Sequence, residues 1–203
     1  MKARVAVAIS GSGRTLANFI EKQDDYSYEI AAVIASSEDC AGLRYASENK
    51  IPLLIVKYDD RTNTEDRTTL IADWLNKHKI DWVALAGFLK PWPIINGYAD
   101  RTVNIHPALL PKFGGKGFYG NRVHQSVIDQ NEKESGASVH FVTEKYDEGR
   151  VIAQSKVKLT ANDTATSLAL RVFESECRLY PHVLSELATG ELPLAAGKIW
   201  LLE

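Results

Sequence analysis

Short apolar runs alternate with segments of helical periodicity through the first half of the chain. Runs rich in Val, Ile, Leu and Ala, each of a length suited to a buried strand, occupy residues 4–10, 29–36, 52–56, 82–87 and 102–105. Between the first four runs, apolar residues recur every three to four positions at 15–23, 40–50 and 66–79, which predicts helices. This alternation favours right-handed crossovers and a parallel, doubly wound sheet with helices on both faces.

The pattern changes in the second half of the chain. Further elements are predicted as a helix at 120–133, two antiparallel strands at 138–143 and 151–159, a long helix at 164–190 and an edge strand at 198–202. Asp163 is the expected N-cap of the long helix, and Gly190 is its expected end. The sequence therefore predicts an α/β fold, with a single-domain, mostly parallel sheet and an antiparallel C-terminal portion.

Composition and charge narrow the classes of function. The chain has 203 residues, of which 45% are hydrophobic, and this suits one globular domain over residues 1–203. The net charge of -2, with both signs interspersed, argues against a nucleic-acid or membrane surface, and no run approaches the roughly 20 apolar residues of a membrane span. Cys40 and Cys177 form no CxxC pair. A reduced, cytoplasmic protein is expected, either monomer or homodimer.

A glycine-rich turn follows the first predicted strand. In SGSGRTL, residues 10–16, the glycines let backbone N–H groups approach an anion where a helix dipole favours negative charge. The segment lacks the Lys-Ser/Thr of a Walker loop, and Leu16 replaces the third glycine of a dinucleotide fingerprint. A monophosphate site and a tight turn that needs glycine for its backbone angles are equally compatible with these residues.

Polar residues interrupt the strand-like run that contains VNIHP, residues 103–107. Asn104 and His106 are two positions apart, so both side chains lie on one side of a strand and reach one pocket. His140 on a later strand and Asp147 in the next loop complete a candidate site. The residue types suit oxyanion stabilisation in acyl transfer, and equally a two-His, one-carboxylate metal site. Each residue alone also suits a purely structural role.

Five segments spread over nearly the whole chain resemble one known family. They are SGSGRTL (10–16), LAGFLK (85–90), NIHPALLPKFGGKG (104–117), GASVHFVTEKYDEG (136–149) and ESECRLYP (174–181). The family is the folate-dependent formyltransferases, and the resemblance is to their phosphoribosylglycinamide formyltransferase members. The run that begins at Asn104, together with the later stretch from His140 to Asp147, is more specific to formyl transfer than the glycine turn is.

The resemblance implies transfer of a formyl group from 10-formyltetrahydrofolate to the amine of glycinamide ribonucleotide in purine biosynthesis, with no metal. Asn104 and a protonated His106 would donate hydrogen bonds to the oxyanion, and Asp147 would favour the imidazolium. The phosphate-binding half would be about residues 1–100, and the folate-binding and catalytic half about 101–203. The implied ribonucleotide contacts are Gly11, Gly13, Arg14, Thr15, Pro107 and Glu176, and the implied folate contacts are Leu85, Phe88, Leu89, Lys90, Trp92, His140 and Val142.

Two segments depart from the family pattern. The family commonly has Ser-Asn where this chain has Arg14-Thr15, and Arg14 adds a cation that either strengthens phosphate binding or faces solvent. The family usually has Phe-Met-Arg-Ile-Leu where this chain has FLKPW, residues 88–92. Pro91 cannot donate a backbone hydrogen bond and Trp92 is bulkier than leucine, so a reshaped pterin pocket is expected.

Three rival functions are less compatible with the sequence. The chain starts at its first strand and stops after its last helix, which disfavours a methionyl-tRNA formyltransferase, with its extra RNA-contacting domain, and a formyltetrahydrofolate deformylase, with its regulatory domain. A sugar-phosphate sensor without catalytic activity is disfavoured because Asn104, His106 and Asp147 are all retained.

Overall fold

The structure, a computed structural model, describes residues 1–59, 63–190 and 200–202. The strands are β1 Ala3–Ile9, β2 Tyr28–Ala35, β3 Leu53–Ile55, β4 Trp82–Leu85, β5 Thr102–His106, β6 Glu134–Phe141, β7 Val151–Lys158 and β8 Trp200–Leu202. The helices are α1 Arg14–Lys22, α2 Leu43–Glu48, α3 Thr64–Lys77, α4 Asn121–Asp129 and α5 Ala165–Thr189, with 3-10 turns at Gln23–Asp25 and Ala99–Arg101.

Within the described residues, the strands form one eight-stranded sheet in the order β3-β2-β1-β4-β5-β6-β7-β8. Strands β1 to β5 pair in parallel, and β6 runs antiparallel to both β5 and β7. The predicted mixed α/β fold is confirmed. After β3 the chain returns to the other side of β1 and forms β4, so the strand order switches direction between β1 and β4. In open α/β sheets, ligands bind beyond the carboxyl ends of the strands at such a switch point.

Helices cover both faces of the sheet, because successive side chains of each strand point to opposite sides. On β1, Val5, Val7 and Ile9 join the buried cluster that contains residues of α1 and α5. Ala6 and Ala8 point the other way, into the cluster that contains residues of α3. Burial of each large aliphatic side chain stabilises the fold by about 1.5–3 kcal/mol, so the near-continuous apolar run of β1 is explained by burial on both sides.

Several predicted boundaries were wrong by one to four residues, and two of these errors have a clear local cause. Strand β6 begins at Glu134, whereas the prediction began at residue 138. The prediction missed Ser135 and Gly136 because they carry no apolar pattern, although they lie inside the sheet. The N-cap of α5 is Thr164 rather than Asp163. Thr164 Oγ1 accepts from the Ser167 N–H, and Ser167 Oγ accepts from the Thr164 N–H, which completes a capping box.

The predicted end of α5 and the predicted edge strand agree with the structure over the described residues. Helix α5 ends at Gly190, whose φ of 74° is in the left-handed region that favours glycine. Residues Trp200–Leu202 form β8, a parallel edge strand on β7. Residues 198 and 199 of the predicted edge strand lie outside the described residues. Within the described part of the chain, no helix has the length and apolar character that crossing a membrane requires.

Candidate active site

A cleft of about 700 Å³ opens at the carboxyl ends of β1, β4 and β5. Residues from both halves of the chain line it, and every residue that the sequence singled out as a candidate is among them. These are Gly11, Gly13, Arg14, Thr15, Leu85, Phe88, Leu89, Lys90, Trp92, Asn104, His106, Pro107, His140, Val142, Asp147 and Glu176.

Strand pairing brings Asn104 and His140 together. They are direct partners in the antiparallel register of β5 and β6, and Asn104 Nδ2 lies 3.0 Å from His140 Nε2. The Nδ1 atom of His140 lies 2.8 Å from the Phe141 carbonyl oxygen, which can only accept, so Nδ1 carries the proton in this contact. In the neutral ring, Nε2 then accepts from the Asn104 amide, which leaves the second N–H of that amide free to donate to a ligand.

Asp147 connects the two histidines. Its Oδ2 lies 3.4 Å from His106 Nδ1 and its Oδ1 lies 3.4 Å from His140 Nε2. The Gly115 N–H also donates to Oδ2, at 2.9 Å. The Asp147 backbone has a φ of 57°, a left-handed conformation that Asp and Asn tolerate better than most residues. The turn after β6 thus aims a carboxylate back at the end of β5.

Burial and the neighbouring groups act in opposite directions on the pKa values of Asp147 and His106. Burial raises the pKa of the Asp147 carboxyl, but the contact with His140, the charge of a protonated His106 and the Gly115 N–H together hold that pKa below its usual value. His106 is 4% exposed, and burial lowers its pKa, although Asp147 and the Phe113 carbonyl favour the charged ring. Burial and these oxygen contacts therefore act in opposite directions on the protonation of His106, and additional negative charge near the ring would favour the imidazolium.

The second nitrogen of His106 contacts a backbone carbonyl. Its Nε2 lies 2.7 Å from the carbonyl oxygen of Phe113, so both ring nitrogens face oxygen acceptors. This arrangement fits a charged ring, which has two donors. Within residues 1–59, 63–190 and 200–202, no group of three or more His, Cys, Asp or Glu side chains is arranged to hold a metal ion.

The glycine turn at the start of α1 also lines the cleft. Gly13 is the N-cap, its φ is 70°, and no side chain caps the helix. A Cβ atom on Gly13 would lie 2.6 Å from Gly42 Cα, so close packing also requires glycine here. The Arg14 guanidinium lies 4.1 Å from the centre of the Phe173 ring. Glu176 lies one helical turn beyond Phe173 on α5. Its pKa is raised to about 7 by burial, and the positive charge of Arg14 opposes part of that rise.

An apolar wall follows β4. Phe88 and Trp92 are each 8% exposed, and their rings meet edge to face with centroids 5.4 Å apart. The bulk of Trp92 is thus accommodated by packing against Phe88, while both residues still line the cleft. The Leu89 N–H donates to Ser10 Oγ at 2.9 Å, which ties this wall to the end of β1.

The structure adds residues that the sequence did not single out. The segment 115–121 lines the cleft next to Asp147. The glycines and aromatics of FGGKGFYG, residues 113–120, follow soon after His106 and are a usable signal for it. His124 on α4 also lines the cleft, and burial and His106 lower its pKa to about 4. Phe173 follows the core periodicity of α5, so nothing in the sequence separates it from a core residue.

Comparison with known proteins gives the family. Residues 3–184 match the family model described as formyl transferase. The chain belongs to the formyl transferase family. The resemblance predicted from the sequence is thereby confirmed.

Relatives in this family cover most of the chain. Phosphoribosylglycinamide formyltransferase of Arabidopsis thaliana chloroplasts is 39% identical over 91% of this chain, and the match spans 65% of the plant protein. The Haemophilus influenzae phosphoribosylglycinamide formyltransferase is 32% identical over 98% of this chain and 93% of its own length. The crystal structure of the Brucella melitensis phosphoribosylglycinamide formyltransferase superposes with a TM-score of 0.84 at 35% identity, over 94% of this chain and 97% of the other.

Proposed function

We propose that this protein transfers the formyl group of 10-formyltetrahydrofolate to the primary amine of glycinamide ribonucleotide. The observation that carries the proposal is the convergence of Asn104, His106, His140 and Asp147 in one cleft, between an uncapped helix start and an apolar wall. The names of the relatives supply the identity of the two substrates. Cytoplasmic location and a monomeric or homodimeric state stay predictions.

The two ends of the cleft would divide substrate binding between them. The backbone N–H groups of residues 13–15 would hold the phosphate, because the first N–H groups of a helix have no intrahelical partner and lie at the positive end of its dipole. Glu176 would meet the ribose. The wall formed by Leu85, Phe88 and Trp92 suits a flat heteroaromatic ring, while neighbouring backbone groups supply polar contacts.

The chemical step would depend on charge that develops at the formyl oxygen. When the amine attacks the formyl carbon, that oxygen becomes an oxyanion, and the free N–H of Asn104 would donate to it. The oxyanion would also supply the negative charge that favours a protonated His106. For His106 Nε2 to donate to the oxyanion, it would exchange its contact with the Phe113 carbonyl. The protonated ring would then pass a proton to the folate nitrogen as the carbon–nitrogen bond breaks, and the attacking amine would return one proton to the ring as the amide forms.

A direct assay tests the proposal. Purified protein is mixed with glycinamide ribonucleotide and 10-formyltetrahydrofolate, the folate product is followed by absorbance, and the formylated ribonucleotide is identified by mass spectrometry. We expect both products in equal amounts. Release of formate without formylated ribonucleotide would show hydrolysis, as in a deformylase, and would overturn the proposal.

A further inference from the structure

Arg14 occupies a position that its own helix disfavours. It is the first residue of α1, where the helix dipole opposes a cation, and the first turn contains no acidic residue to offset it. Within the described residues, its guanidinium makes no hydrogen bond or ion pair, and its specific contact is the Phe173 ring at 4.1 Å. Phe173 belongs to α5, so the stack connects two elements that are distant in sequence.

The stack leaves the hydrogen-bonding capacity of Arg14 intact. A guanidinium over an aromatic ring uses its face, whereas its five N–H donors point outwards in the plane. Arg14, Phe173 and the glycine turn all line the cleft, and Glu176 lies one turn beyond Phe173 on α5. The donors are thus held at the end of the cleft where the proposed phosphate site lies.

We infer that Arg14 is a specificity-determining residue that reads the phosphate of the ribonucleotide through its side chain, and that Phe173 positions it. The inference rests on the proposed function, which places a phosphate against the backbone of the same turn. A guanidinium can bind two phosphate oxygens at once, and a ring that already holds its plane reduces the side-chain freedom lost on binding. Lysine at position 14 would keep the charge and lose the planar fork.

The first test compares two substrates that differ only in the phosphate, glycinamide ribonucleotide and its dephosphorylated riboside. In Arg14→Gln we expect the KM for the ribonucleotide to rise about 10- to 100-fold, the scale of a lost charge-assisted hydrogen bond, with kcat within about 2-fold. The KM for the riboside and the Kd for folate should stay unchanged. Arg14→Lys should give an intermediate KM.

The second test is a double-mutant cycle. Phe173→Leu should raise the ribonucleotide KM about 3- to 10-fold through loss of the aromatic face, and Phe173→Tyr should keep it near normal. In the Arg14→Gln background, Phe173→Leu should have no further effect. If Phe173 only fills space, its substitution will act equally in both backgrounds and on both substrates, and that result overturns its positioning role.

A matched control removes another arginine that stacks on an aromatic ring. Arg101 lies 5.0 Å from the Tyr98 ring centre and is outside the residues that line the cleft, so Arg101→Gln should leave the ribonucleotide KM unchanged. If the unaltered protein is active and Arg14→Gln has a normal ribonucleotide KM, the inference fails while the proposed function stands. If the unaltered protein transfers no formyl group, the proposed function fails, and calorimetric titration with ribonucleotide and riboside decides the inference by the same comparison.

Discussion

At the scale of single residues, Asp147 shows how one side chain sets the charge of another. Its two oxygens face two imidazole rings, at 3.4 Å each, and a backbone N–H also donates to it. Burial lowers the pKa of His106, and the Asp147 charge raises it. The carboxylate therefore acts against burial, and its removal should be visible both in the rate and in the pH at which the rate changes.

We predict that Asp147→Asn lowers kcat by about 100-fold or more while both substrates still bind. Asn tolerates the left-handed backbone and can still accept from the Gly115 N–H, so the fold should survive. Since the carboxylate raises the pKa of His106, the variant pKa should fall further. A protonated His106 is then lost at a lower pH, and the decline of kcat with rising pH should begin earlier than in the unaltered protein.

The measurement is kcat as a function of pH, with substrate binding determined by calorimetry. Glu148→Gln, which neutralises the exposed carboxylate next in the chain, is the control and should leave the profile unchanged. His106→Ala should lose a similar factor in kcat. Turnover close to normal in either site variant would remove that residue from the proposed chemical step.

Glu176 shows a residue whose placement reduces stability. Its pKa is raised by burial from 4.5 to about 7, so ionisation above pH 4.5 is easier in the unfolded chain. Ionisation of Glu176 therefore lowers the free energy of unfolding progressively as the pH rises from 4.5 to 7. Above pH 7 this destabilisation stays constant. We predict that Glu176→Gln raises the free energy of unfolding by about 1–3 kcal/mol at pH 8, and by much less at pH 5.

Urea unfolding at the two pH values measures this difference. Glu174→Gln, two residues earlier on the exposed side of α5, should change the free energy of unfolding similarly at both. A stabilisation of Glu176→Gln that is the same at pH 5 and pH 8 would contradict the proposed burial cost. A carboxyl kept at such a cost is consistent with its proposed contact with the ribose.

At the scale of elements, the turn between β1 and α1 depends on close packing against the start of α2. We predict that Gly13→Ala raises the KM for glycinamide ribonucleotide at least about 10-fold and lowers the free energy of unfolding by about 1–3 kcal/mol. The added Cβ would meet Gly42 Cα at 2.6 Å, and the φ of 70° would be strained, so the turn would have to shift. Folate affinity should not change.

Kinetics with each substrate varied in turn, together with urea unfolding, test this prediction. Gly11→Ala is the steric control, because its Cβ would have no atom within 4 Å, and its free energy of unfolding should stay normal. A loss of folate affinity as large as the loss for the ribonucleotide would show that the assignment of the turn is wrong.

At the scale of the whole molecule, the sheet topology decides which chemistry is available. The switch between β1 and β4 opens the cleft, and the antiparallel β6 brings His140 beside Asn104. The two rings each lie 3.4 Å from a different oxygen of the Asp147 carboxylate. Chelation separates the proposed acyl-transfer roles from the metal-site interpretation of the same residues.

We predict that formyl transfer persists after exhaustive chelation. An imidazolium His106 has no lone pair for a cation, so a metal role and the proposed donor role exclude each other in the active protonation state. The assay is run before and after chelation, with the metal content determined on the same sample. Activity that disappears with the metal and returns with zinc, iron or manganese would overturn the proposed roles of His106 and Asp147.

Sequence pattern alone was enough to predict the alternation of elements, the mixed sheet and the family. Apolar runs and helical spacing report burial directly, so local pattern sufficed for β1, α3 and the Gly190 end of α5. It was insufficient where burial is not apolar, as at Ser135 and Gly136 of β6, whose place in the sheet is set by the strands on either side. Capping was misplaced by one residue because Asp163 and Thr164 are both good caps.

The contacts between candidate residues depend on the assembled fold. The 3.0 Å contact between Asn104 and His140 follows from strand register, and the stack of Arg14 on Phe173 follows from the packing of α1 and α5. Such contacts join residues far apart in the chain, so no local periodicity encodes them. The same holds for the charge states: burial lowers the pKa of His106 and raises that of Glu176, and burial is a property of the assembled fold.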